Sequence, residues 1–113
     1  MGTIQDPASF LGARRVSLAQ FIVAQLYGVP LDEMRGPTRG RPLVARARQI
    51  AMHIARVVFA MSHRELAQEF GRDPSTIRHA CGLIEAMREE SAGFDASMRW
   101  HETLVRRAAG LEV

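Results

Sequence analysis

Three groups of side chains in this 113-residue sequence are of types and spacings that act on a polyanion. The first is Arg39-Gly40-Arg41-Pro42, two arginines set between flexible and rigid residues. Arginines on such a loop can enter a narrow minor groove. The second is Asp73-Pro74-Ser75-Thr76, bracketed by Arg72 and Arg78. Asp before Pro is a strong helix start, and the unpaired N–H groups of a helix start favour phosphate. There a carboxylate can accept from cytosine N4, a hydroxyl can bond phosphate or a base, and a threonine methyl can touch thymine. Each feature also has a plain structural use. Asp73 and Ser75 can simply cap a helix, and an arginine loop can simply be solvated. The third group is the run of arginines that joins the first two.

That run is where the charge is concentrated. The formal net charge is +3, and all fifteen basic residues are arginine. Residues 35–79 carry nine arginines against Glu65, Glu69 and Asp73, a net of +6. The flanking segments are each slightly acidic. Such clustering is the electrostatic footprint of a nucleic-acid face.

Other chemistries lack their residues. Without lysine there is no P-loop and no Schiff base. His53, His63, His79 and His101 show no metal-ligand spacing, and neither H-E-x-x-H nor C-x-x-C occurs. Cys81 lies four residues after Ile77 and reads as a small core residue, as do the methionines. We expect no enzyme activity, no cofactor and no metal. A lone cysteine suits a reducing cytoplasm, no secretory leader is visible, and no apolar run reaches the roughly 20 residues of a membrane span.

The elements that must position these groups are all helical. From Ser17, the residues Leu18, Phe21, Ile22 and Leu26 recur on one helical face, and Gly28 is the stop. Leu31 to Met34 predict a short turn, and residues 36–42 a loop. A long helix over 43–59 carries a stripe of Leu43, Ala47, Ile50, Ala51, Ile54 and Val57 or Val58, with Arg46, His53 and Arg56 off it. Ser62-x-x-Glu65 is a capping box, opening a helix that ends near Phe70, with Gly71 as the turn. The next helix runs from Asp73 to about Glu90, with Ile77, Cys81 or Ala80, Ile84 and Met87 inward. A last helix spans 95–108, with Met98, His101 or Trp100, Leu104 and Val105 apolar. Residues 1–13 read as a loose arm, and 14–108 as one domain with enough chain for a core. The sum is an all-α helix-turn-helix bundle, a geometry that suits duplex DNA.

From about Val16 to Arg107 the chain resembles the C-terminal DNA-binding domain of the bacterial replication initiator family DnaA. The resemblance rests on Ala45-Arg46-Ala47-Arg48-Gln49, Arg72-Asp73, Ser75-Thr76 and His79-Ala80. It implies a Trp-repressor-like fold and recognition of a short duplex motif, the DnaA box. It also implies a minor-groove arginine at Arg39 or Arg41 and phosphate contacts at Arg48, Arg56 and Thr76. Major-groove contacts would fall to Asp73, Pro74 and Ser75, with Arg64 on the preceding helix. Two positions depart from the family pattern. Proline stands at 74 where histidine is usual, and the turn has only Gly71. The family's full initiators carry an ATPase domain ahead of this one. None occurs in these 113 residues, so the expectation is a DNA reader without that motor. The chain would be cytoplasmic and nucleoid-associated, with duplex DNA as partner and other replication or transcription proteins as further candidates. A second reading is a protein-interaction module that kept the fold without strong DNA binding.

Overall fold

A computed structural model describes residues 7–37 and 40–111, with side chains from Phe10. Six helices follow one another: α1 (Pro7–Tyr27), α2 (Leu31–Arg35), α3 (Pro42–Phe59), α4 (His63–Phe70), α5 (Pro74–Glu90) and α6 (Ala92–Ala108). No strand occurs among the described residues. None of their helices is long and apolar enough to cross a membrane.

Helix α3 is the axis of the bundle and packs against all five other helices. Its middle, Ile50 to Ala55, is buried on every side. One face, with Ala47, Ile50, Ala51 and Ile54, joins Val23, Ile84, Met98 and Val105 in the larger core. The other, with Met52 and Ala55, joins Val16, Ala19, Leu66, Ile77, Ala80 and Cys81. This second core seats α4 and the first half of α5 on α1 and α3. It is rich in alanine, which lets short helices approach closely.

Local chemistry explains the boundaries. The capping box at α4 forms in full: Glu65 N–H donates to Ser62 Oγ, and Ser62 N–H donates to Glu65 Oε1, both at 3.1 Å. That arrangement holds the Glu65 carboxyl below its usual range, mainly through its bond to the Ser62 backbone. Helix α4 ends at Gly71, whose φ of 64° is left-handed and costs glycine nothing.

Several sequence expectations are corrected. Residues 7–13 of the expected loose arm are helical, since α1 starts at Pro7; residues 1–6 lie outside the described set. The buried face of α1 is Val16, Ala19, Gln20, Val23 and Ala24, not the Leu18-Phe21-Ile22-Leu26 stripe. Phe21 is 51% exposed and Leu26 is exposed too. Helix α1 is apolar on two adjacent faces, and the smaller side chains fit against the alanines of α3. Leu43 and Val57, at the ends of α3, are exposed, while His53 is only 2% exposed because α5 and α6 cover that side. Helix α6 begins at Ala92 rather than 95, because Ser91 Oγ accepts from Phe94 N–H and caps it. His101, not Trp100, points inward.

Candidate nucleic-acid interface

Helix α4, the turn Gly71-Arg72-Asp73 and helix α5 form the helix-turn-helix. The start of α5 is open. Asp73, Pro74, Ser75, Thr76 and Arg78 are all exposed. Asp73 occupies the N-cap position with extended backbone, but its side chain makes no cap hydrogen bond. Its carbonyl accepts instead, from Thr76 N–H at 3.0 Å and Ile77 N–H at 3.2 Å. The expected side-chain cap is therefore absent. Pro74 supplies no N–H, and the backbone closes the first turn alone. The Asp73 carboxylate is left facing outward.

Beside α5 lies a groove of about 460 Å³ between α3 and α5. Helix α3 contributes Ala45, Arg48, Gln49 and Met52, and α5 contributes Thr76, His79 and Ala80. Arg72, in the turn, closes one end. Both helices present these residues three and four apart, one face each. Polar hydrogen-bonding groups and two guanidinium groups line the groove, and none of the described lining residues is acidic.

The two arginines also hold the end of α2 and the residues just after it. Arg48 is only 6% exposed. Its Nε donates to the Met34 carbonyl and its Nη2 to the Glu33 carbonyl, both at 2.8 Å. Arg72 Nη2 donates to the Gly36 carbonyl at 2.7 Å and Nη1 to the Pro37 carbonyl at 2.9 Å. Four bonds thus fasten residues 33–37 to α3 and to the turn before α5. Burial, and then the charge of Arg72, push the Arg48 guanidinium below its ordinary value.

The remaining site residues fall around this centre. Arg41 occupies the N-cap position of α3 without a side-chain cap bond, and its side chain pairs with Glu33 at 2.9 Å, both side chains well exposed. Arg39 lies outside the described residues. Arg56 Nη1 donates to the Met61 carbonyl at 2.9 Å, tying α3 to the turn before α4. Arg64 and Arg78 are exposed and form no ion pair among the described residues. His63 sits beside this second patch. Its imidazole is lowered by partial burial and then by the charges of Arg56 and Arg78.

The structure therefore brings Arg48, Arg72 and Thr76 to one groove and leaves Arg56 and Arg64 near the α3–α4 turn. Gln49 and His79 line the groove but carry no assigned role in the sequence reading. Their spacing is the signal that points to them: Ala45, Arg48, Gln49 and Met52 share one face of α3, as Thr76, His79 and Ala80 share one face of α5. Cys81 takes no part. It is buried, and burial pushes its thiol up to about 11. No three His, Cys, Asp or Glu side chains gather as a metal site among the described residues.

The model of the bacterial dnaA protein helix-turn-helix family matches residues 16–84. The chain is 42% identical over 86 residues to the chromosomal replication initiator protein DnaA of Acinetobacter baumannii, covering 74% of this chain and 18% of that protein. It is 38% identical over 86 residues to the Acinetobacter baylyi protein of the same name, with 74% and 18% covered. With that of Laribacter hongkongensis it shares 40% identity over 81 residues, with 69% and 17% covered. The chain thus spans less than a fifth of the length of these curated relatives.

Proposed function

The chain belongs to the bacterial DnaA helix-turn-helix family, a DNA-binding family of replication initiation, and from that premise we propose that it binds duplex DNA sequence-specifically at DnaA-box-like sites and so regulates replication initiation or transcription. One observation carries the reading. The open start of α5 stands beside a groove lined by Arg48 and Arg72, and those two arginines also fasten residues 33–37, which lead toward the arginine loop. A helix start aimed at base edges, with cations on either side for the backbone, is how a helix-turn-helix docks in the major groove.

The roles divide by position. Asp73, Pro74 and Ser75 face bases, with Arg64 and Arg78 beside them. Arg48, Arg56, Arg72 and Thr76 hold phosphates, and His79 and Gln49 are within the same groove. Arg41, or Arg39 ahead of it, reaches the neighbouring minor groove. The Glu33 pair is exposed and easily exchanged for a phosphate. Pro74 gives up the imidazole of the family pattern and offers a ring that can touch a thymine methyl. Binding is the whole activity of this module, and no catalytic step is assigned to it. Its place is the cytoplasm, on the nucleoid, where other replication or transcription proteins are within reach.

Titration of a DnaA-box duplex at several salt concentrations tests the proposal. Log affinity should fall with log salt by roughly 0.9 per phosphate contact. Affinity that ignores salt, or no binding at low salt, overturns it and favours the interaction module.

A further inference from the structure

A second groove, of about 750 Å³, runs between the first half of α1, helix α2 and the end of α6. It shares no lining residue with the groove beside α5. Its floor is apolar: Leu11, Leu18, Phe21, Leu31, Phe59 and Leu111. Phe21 and Leu11 are exposed, and so is Phe10, one residue further along α1 at 54%. Phe10 and Phe21 stand three turns apart, roughly 16 Å along the helix, with half-buried Leu18 between them. Exposed apolar side chains gathered around one groove mark a candidate binding site. Its apolar floor offers a phosphate backbone no side-chain donor.

The rim gives the occupant its sign. Arg14, Arg15 and Arg35 line the groove, and no acid does so among the described residues. The guanidinium groups are held in place: Arg14 lies 5.8 Å over the Phe10 ring, Arg15 lies 5.5 Å over the Phe59 ring, and Arg35 Nε donates to Gln20 Oε1 at 2.9 Å. None forms an ion pair among the described residues. Glu65 of α4 feels the charge of Arg15, but its carboxylate is engaged in the capping box. An apolar trough with positive edges is complementary to one kind of helix. A second copy of this chain is a poor fit, because the matching face would carry arginines against arginines.

We propose that this groove docks an amphipathic helix of a partner protein, with leucine-type side chains in the trough and carboxylates against Arg14, Arg15 and Arg35. Because the two grooves are separate, the partner and duplex DNA bind together.

The probe is a labelled synthetic helix of roughly 18 residues, with leucines every three or four positions and glutamates on both flanks. Its binding to the full chain is read by fluorescence anisotropy. Saturable binding is expected, weakened roughly tenfold when lysines replace the glutamates. Phe21→Ser should abolish it while leaving duplex affinity and the helical circular-dichroism signal unchanged. Arg14→Glu with Arg15→Glu, both on the surface of α1, should reverse the preference toward the lysine peptide. A prebound duplex should leave peptide affinity unchanged. Equal affinity for both peptides, no binding of either, or full binding by folded Phe21→Ser overturns the proposal. So does sedimentation showing that Phe21→Ser dissolves a dimer, because the groove would then be filled by a second copy.

Discussion

At the helix-turn-helix end, Arg48 and Arg72 donate to the backbone carbonyls of residues 33–37, whereas between α5 and α6 Arg88 is held by carboxylates. Arg88 Nε pairs with Asp95 Oδ1, its Nη2 lies 3.0 Å from Glu102 Oε1, and its Nη1 meets His53 Nε2 at 3.0 Å. Burial by itself would lower the Arg88 guanidinium, yet its bonds to Asp95 and Glu102 raise it above its usual value. Burial lowers Arg48 as well, and there the neighbouring charge, Arg72, lowers it further. One side chain type thus does two jobs. Bound by carboxylates, arginine becomes a neutralised strut that joins three helices. Turned to carbonyls, Arg72 fixes a loop and forms no ion pair among the described residues, so its charge still reaches the groove. Formal charge along the sequence cannot separate the two cases.

The largest effect should come from breaking the neutralised end. Arg88→Ala leaves the buried Glu102 carboxylate without its partner and should cost about 3–5 kcal/mol in urea unfolding. Duplex affinity, measured where the variant is still folded, should be unchanged. A loss below about 1 kcal/mol would show that the network is solvated rather than buried.

Arg72→Ala should act on both properties. Losing two N–H···O=C bonds should cost about 1–3 kcal/mol of stability. Duplex affinity should fall further than stability explains, and the salt slope should shrink by about 0.9. Arg72→Lys should not restore the loop, because an ammonium cannot replace the two-pronged fork. An unchanged salt slope would make Arg72 a loop anchor alone and narrow the contrast between the two ends.

Asp73→Ala sharpens the assignment at the start of α5. Because the carboxylate makes no cap bond, stability should move by less than about 0.5 kcal/mol. Affinity for the preferred duplex should fall by about 1–3 kcal/mol with random duplex spared. Equal losses on both duplexes would assign Asp73 to the backbone or to the general field. Pro74→His should move preference at its facing position toward the family's usual base by about 1–3 kcal/mol. Identical motifs from binding-site selection on the two proteins would mean that residue 74 does not face a base.

The smallest effect should be with pH. His53 and His101 are held below the ordinary imidazole range, foremost by burial. Nδ1 of each is buried without a hydrogen-bond partner among the described residues. The folded state therefore favours the neutral rings, and unfolding takes up protons below the ordinary value of 6.5. Stability should be level above that value and decline as pH falls through it toward the depressed folded values. His53→Gln should flatten part of the decline. Stability that rises on acidification would contradict the burial of both rings.

Much of the architecture was legible in local chemistry. Ser62-x-x-Glu65 marked the start of α4, Gly71 its end and Asp73-Pro74 the start of α5, because caps and left-handed turns depend on a few adjacent residues. The inward positions of α5 were legible for the same reason: one apolar stripe on an otherwise polar helix has only one way to face. The family, and with it the expected site residues, was legible from short matched stretches around Arg48, Asp73 and His79. Tertiary structure decided the rest. Helix α1 has two apolar faces, and periodicity cannot choose between them; the alanines of α3 choose the small one and leave Phe21 outside. The job of each arginine is likewise a matter of what stands opposite it. Arg48 and Arg72 meet carbonyls and Arg88 meets the Glu102 carboxylate only because residues 14 or more apart in the chain are folded side by side. Spacing along a helix sets which face a side chain lies on, but the partner across the interface sets what its charge is for.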